Sequence, residues 1–172
     1  MRGLVHGHAS QQAVQNAALR AGQSAVLAEN DSRLARLAER FADDVQVLDK
    51  YFSLVATLPS EQVFTKLEQL TAHPAFSWKN PNRVRALFSA FSLRNPQQFH
   101  RADGQGYRLL ASVVARLDAV NPQLAARQIT PLLSWQRYDQ HRQQLLRQLL
   151  QQLASGSAMS DDLYEKVSKS LT

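Results

Sequence analysis

Residues 80–91 read NPNRVRALFSAF. Asn80 stands before Pro81, and apolar side chains follow at Val84, Leu87, Phe88 and Phe91. An asparagine oxygen accepts one of the orphan N–H groups that open a helix. A proline at the first helical position has no N–H to lose and a φ already suited to it. Apolar residues three and four apart form one face of an α-helix. The stretch therefore predicts a helix at about 81–92 with a single inward stripe. At 3.6 residues per turn, Arg83 and Arg85 lie about 100° to either side of Val84 and flank that stripe.

The same opening recurs at Asn95-Pro96 and Asn121-Pro122, predicting helices at 96–101 and 122–134. Between them Asp103-Gly104-Gln105-Gly106 reads as a turn, and Tyr107, Leu110, Val114 and Leu117 stripe a helix from 107 to 119. Leu145, Leu146, Leu149, Leu150 and Leu153 give a further helix a wide apolar face. Gly156 ends that pattern, and Ser160 can cap a last helix carrying Leu163, Val167 and Leu171. Upstream, Ser60 can cap residues 61–71. An earlier helix bearing Val47, Leu48, Phe52 and Val55 stops near Pro59. Asp31 precedes Leu34, Leu37, Ala38 and Phe41 at helical spacing, and residues 10–30 read as a weaker Ala/Gln-rich helix. No segment alternates with period two, and no Asn-Gly hairpin signal is present. The predicted fold class is all-α: an irregular superhelical array of antiparallel helix pairs of the HEAT or armadillo kind.

Composition narrows the function. Hydrophobic residues make up 44% of 172, enough for a sizeable core. No apolar run is long enough to predict a membrane span, and MRGLVHGHASQQ lacks the apolar region of a signal peptide. Cysteine is absent, which excludes disulfides, thiolate metal sites and cysteine nucleophiles and fits a cytoplasmic protein. The net charge of +6 is concentrated between His73 and Leu153, where basic residues exceed acidic ones by 8. Those charges are isolated arginines among apolar residues, not the Lys/Arg clusters of a nucleic-acid binder, so no nucleic-acid partner is expected.

Catalytic patterns are missing. A zinc peptidase needs two histidines one helical turn apart and a glutamate base. His6, His8, His73, His100 and His141 offer no such pair. Gly104 and Gly106 follow no strand and form no phosphate loop, and no serine sits in a nucleophile elbow. Phe41, Phe52, Phe64, Phe88 and Phe91 fall on apolar stripes and are assigned to the core, with Trp78 and Trp135 at helix edges. Arg127 lies nearly opposite the stripe of Leu124, Ile129 and Leu132. Arg83, Arg85 and Arg127 are expected either to be solvated or capping residues, or to present their planar forks to a carboxylate or carbonyl.

Several long, collinear motifs resemble one family. NPNRVRALFSAF (80–91), FHRADGQGY (99–107), NPQLAARQITPLLSWQRYD (121–139) and DLYEKVSKSL (162–171) are similar, in order, to the C-terminal helical region of bacterial aminopeptidase N. DDVQVLDKYFSLVAT (43–57) resembles a further stretch, with Tyr51 where tryptophan is commoner. The similarity covers residues 31–172, and residues 1–30 match poorly. The resemblance implies a helical C-terminal domain that closes over the active site of a zinc-dependent aminopeptidase. That enzyme's catalytic domain, carrying HExxH and the zinc, would belong to the same polypeptide, and peptides would be the substrates. Arg85, Gln123 and Arg127 stand where the family's cavity-facing residues are, so the resemblance implies a substrate-cavity role for them. It implies no catalytic residue, metal ligand or cofactor within this chain. The competing reading of the same residues is an independent helical-repeat scaffold that binds a protein or peptide in a concave face.

Overall fold

A computed structural model describes residue 29, residues 32, 33, 35, 36, 39 and 40, and residues 42–156 and 159–172. The chain divides into two compact units, residues 1–43 and 44–172. In the first unit the described residues from 29 to 40 are helical, and Arg33 pairs with Glu29 one turn earlier at 2.6 Å. The helix predicted for 10–30, the cap at Asp31 and the stripe of Leu34, Leu37, Ala38 and Phe41 lie outside the described residues, Glu29 excepted.

The second unit consists of α1 (Val45–Ala56), α2 (Gln62–Thr71), α3 (Pro81–Val84), a π-helical segment (Arg85–Ser89), α4 (Ala90–Arg94), α5 (Pro96–Phe99), α6 (Gln105–Asp118), α7 (Pro122–Gln128), α8 (Thr130–Leu133), a 3₁₀ turn (Trp135–Arg137), α9 (Gln140–Ala154) and α10 (Asp161–Leu171). No described residue is in a strand. α1 packs on α2 and on the stretch from α3 to α4, α6 packs on α7, and α9 and α10 pack on each other and on that second pair. Successive helix pairs share one hydrophobic core, the arrangement expected of an irregular helical array.

The Asn-Pro pairs act as the sequence predicts. Asn80 Oδ1 accepts from the N–H groups of Asn82 and Arg83, Asn95 Oδ1 from Gln98, and Asn121 Oδ1 from Leu124. Asn95 does more than cap. It is buried, and its amide donates to the carbonyls of Ala56 and Leu58 at 3.0 and 2.8 Å, tying the end of α1 to the start of α5. The expected cap at Ser160 differs. Its side chain makes no capping bond to α10. Instead its hydroxyl and its backbone N–H both donate to the buried carboxylate of Asp118.

Helix boundaries depart from expectation in two informative places. The predicted helix at 81–92 extends to Arg94 but widens at residues 85–89. There the Ala90 N–H bonds to the Arg85 carbonyl five residues back, and the Ala86 carbonyl accepts the Ser53 hydroxyl at 3.0 Å. The predicted helix at 122–134 breaks after Gln128. Pro131 has no N–H for the Arg127 carbonyl. The neighbouring Ala126 carbonyl accepts Lys166 Nζ from α10 at 2.7 Å. Two smaller differences are that α5 ends at Phe99 and α6 begins at Gln105.

The core is aromatic along one line. Phe64 meets Phe91 edge-on at 5.6 Å, Phe91 meets Phe99 at 5.9 Å, and Phe99 meets Tyr107 at 5.2 Å. Such edge-to-face pairs each add about 0.5–1.5 kcal/mol beyond burial. Phe52, Phe88 and Phe91 are fully buried, and Phe64, Trp78 and Trp135 are partly buried against the core. Gly106 makes the junction of α5 and α6 possible: a Cβ there would lie 2.3 Å from the Phe99 carbonyl oxygen. Gly104 adopts a left-handed φ of 72° at the turn before α6.

Candidate functional site

The arginines singled out by their position beside apolar stripes meet different fates. Arg83 is buried and used up within the fold. Its guanidinium pairs with Asp49 of α1 and donates to the Ala75 carbonyl at 3.0 Å. Burial of a charge demands such partners, so this arginine is structural. Arg85 and Arg127 are exposed, and neither side chain makes an ion pair or hydrogen bond to a described residue.

Gln123 and Arg127 stand one turn apart on α7 and share its exposed face. Next to Arg127, the Gln128 side chain is buried and accepts the Ser89 hydroxyl at 3.0 Å, fastening α7 to the π-helical segment. Arg127 borders a cleft of about 550 Å³ between the 89–93 stretch and the residues from Thr130 to Tyr138. Arg85 stands about one turn before Ser89 on its own helix. Neither Arg85 nor Gln123 lines the cleft. The structure thus puts one of the three expected site residues in the concavity and the other two outside it on the flanking elements.

Three further cleft residues stand outside the site that the sequence predicts: His100, Arg137 and Tyr138. The first lies in FHRADGQGY and the other two in SWQRYD, motifs that carry the resemblance without showing which residues converge. They meet because the 3₁₀ turn folds back over α5. The His100 and Tyr138 rings lie 4.7 Å apart, and Trp135 Nε1 anchors the turn to the Ser170 carbonyl at 3.0 Å. Beneath the rim, His100 Nδ1 and the Tyr107 hydroxyl are 2.7 Å apart. Arg142 donates to the His100 carbonyl at 2.9 Å and to Asp139 at 2.6 Å. Burial, reinforced by the charge of Arg142, holds the His100 pKa below its ordinary value. Burial pushes the Tyr107 hydroxyl up to about 12.

A larger concavity of about 660 Å³ lies between α2 and α6. Its arginines are already occupied. Arg108 donates to the Asp103 carbonyl at 2.8 Å, and Arg116 stacks 4.4 Å over the Trp78 ring.

No three His, Asp or Glu side chains converge on a metal-sized site among the described residues. His73 accepts the Ala75 N–H, His100 meets Tyr107, and His141 Nε2 lies 2.7 Å from the Ala102 carbonyl. These separate histidines do not fit a zinc centre. No helix of the described residues is long and apolar enough to cross a membrane.

Residues 6–172 match the family described as "Domain of unknown function (DUF3458_C) ARM repeats". The chain belongs to that family. Aminopeptidase N of Haemophilus influenzae is 41% identical to it over 155 residues, 90% of this chain and 18% of that protein. Aminopeptidase N of Escherichia coli is 40% identical over the same shares. The crystal structure of Legionella pneumophila aminopeptidase A in complex with aspartic acid superposes with a TM-score of 0.78 at 33% identity, over 83% of this chain and 17% of that one. This ARM-repeat domain is homologous to the C-terminal part of aminopeptidase N and spans 18% of those relatives' length.

Proposed function

We propose that this domain is the non-catalytic lid of a cytoplasmic, zinc-dependent aminopeptidase that releases N-terminal residues from peptides. It caps the active-site cavity and gates peptide access. The zinc, its ligands and the general base belong to a catalytic domain of the same polypeptide, which is the domain's partner. Arg85, Gln123 and Arg127 form the part of the cavity wall that receives the peptide beyond the cleaved bond. Residues 31–172 make up the lid, and residues 1–30 are a poorly matched N-terminal segment.

One observation carries this reading. In a chain homologous to aminopeptidase N, Arg127 is exposed, without a side-chain partner among the described residues, and borders a cleft. A guanidinium that the fold does not use is available to a ligand, and its planar fork suits a carboxylate or a peptide carbonyl. Burial of Arg83 with Asp49 is the contrast that makes Arg127 informative.

In the longer enzyme, Arg127→Ala is expected to lower kcat/KM for di- and tripeptides by roughly tenfold or more, the loss of about 1.5–3 kcal/mol for a charge-assisted hydrogen bond. A single-residue amide reporter, which ends before the wall, should lose much less. Equal losses on both substrates would make the effect structural and remove the gating role.

A further inference from the structure

The cleft beside Arg127 has a composition that the cavity reading does not require. Its rim carries two guanidiniums, Arg127 on α7 and Arg137 on the 3₁₀ turn, and no carboxylate lines it. Both arginines are exposed, and neither side chain is paired with a described residue. The nearest acid in sequence, Asp139, is already held by Arg142. Ser92, Ser134 and Thr130 add hydroxyls to the same walls.

The floor supplies a further donor. The Tyr107 hydroxyl lies 2.7 Å from His100 Nδ1, and with the hydroxyl as donor of that pair Nδ1 is the acceptor. A neutral imidazole that accepts at Nδ1 carries its own proton on Nε2. Nε2 has no hydrogen-bond partner among the described residues, and His100 lines the cleft. Two cations and a neutral N–H donor around a concavity without acid are the chemistry of an anion seat.

We infer that this cleft seats the C-terminal carboxylate of a short peptide, held between Arg127 and Arg137 with His100 as a donor from the floor. The inference rests on the cavity reading for the identity of the ligand and adds Arg137 and His100 to it. Arg85 and Gln123, which lie outside the cleft, then meet the peptide's backbone and not its terminus. Helix α10 braces the backbone on both sides of the seat: Lys166 donates to the Ala126 carbonyl behind Arg127, and Ser170 accepts from Trp135 beside Arg137.

The 172-residue chain itself can be titrated by heteronuclear NMR with three probes: acetyl-trialanine as the free acid, the same peptide as the carboxamide, and an acetyl-Ala-Asp-Ala carboxamide whose only carboxylate is a side chain. The free acid should bind about tenfold more tightly than the carboxamide, with shifts around His100 and Tyr138. Arg127→Gln and Arg137→Gln should each remove most of that preference. Arg94→Gln, an exposed arginine outside the cleft, should leave it intact. No measurable binding, equal binding of acid and carboxamide, or a preference that survives both cleft substitutions would overturn the seat. Equal binding of the aspartate-containing carboxamide would overturn its assignment to a peptide terminus. If the acid preference fails while Arg127→Ala still discriminates substrates in the longer enzyme, the wall stands without the seat. The reverse outcome leaves the seat and removes the wall.

Discussion

Arg83 and Arg127 start from similar sequence descriptions, a basic residue beside or opposite an apolar stripe, and end in opposite states. Arg83 finds Asp49 on α1 and the carbonyl of Ala75, while the Arg127 side chain finds no partner among the described residues. Periodicity places both at helix positions, but the partner of Arg83 lies 34 residues away. Only the packed structure decides between them. His100 gives this scale a pH test. Its folded pKa lies below its ordinary value of 6.5, first from burial and then from Arg142. The unfolded chain therefore binds the proton more readily, and stability from this group is present at neutral pH and lost as pH falls below about 6.5. The carboxyls of Asp103, Asp139 and Glu165 are also depressed, each by its basic neighbour or a backbone N–H. Their contribution is lost only at lower pH, below their ordinary range near 4. The midpoint of thermal unfolding should thus fall between pH 7 and 5, and His100→Gln should flatten that fall. A wild-type midpoint unchanged across that interval would contradict the placement of His100.

At the scale of elements, the sequence was most informative where local chemistry acts alone. The Asn-Pro starts at Asn80, Asn95 and Asn121 need only the geometry of a helix's first turn, and all three cap as predicted. The π-helical segment at Arg85–Ser89 was hidden, because Val84, Leu87, Phe88 and Phe91 fit an α-helical stripe and neither proline nor glycine marks the widening. Its visible partner is tertiary, the hydroxyl of Ser53 on the Ala86 carbonyl. Pro131 marks the break in the sequence, but the apolar positions continue beyond it and predict one unbroken helix. Ser160 looked like a cap and instead serves the carboxylate of Asp118, 42 residues away. The sequence places Gly106 in a turn, whereas its role is close approach. Adding a methyl there must move the Phe99 carbonyl, which costs more than the roughly 1 kcal/mol that alanine gains over glycine in a helix. Gly106→Ala should destabilise the chain by about 2 kcal/mol net in denaturant unfolding, with the His100 and Tyr107 resonances shifted. A neutral or stabilising result would mean that the α5–α6 junction is looser than described.

For the whole molecule, the motifs settled the family before any distance was known. They did so because they are long and collinear, and the similarity to aminopeptidase N spans 90% of the chain. The candidate site was less legible. Arg85, Gln123 and Arg127 were named, but the cleft that gives Arg127 its setting also depends on His100, Arg137 and Tyr138. Those residues are brought there by a turn folding back, which no spacing rule encodes. Two concavities now represent the two functional readings. On the proposed function the cleft at Arg127 would form part of a cavity wall, and on the alternative the groove at Arg116 and Trp78 would serve an independent peptide-binding scaffold. Photo-crosslinking in the longer enzyme separates them most directly. A benzophenone-bearing amino acid would replace Arg127 in one variant and Arg116 in another, each irradiated with a slowly cleaved tripeptide analogue. The cavity reading predicts a peptide adduct from position 127, suppressed by excess substrate, and none from position 116. An adduct from position 116 with none from 127 would contradict it.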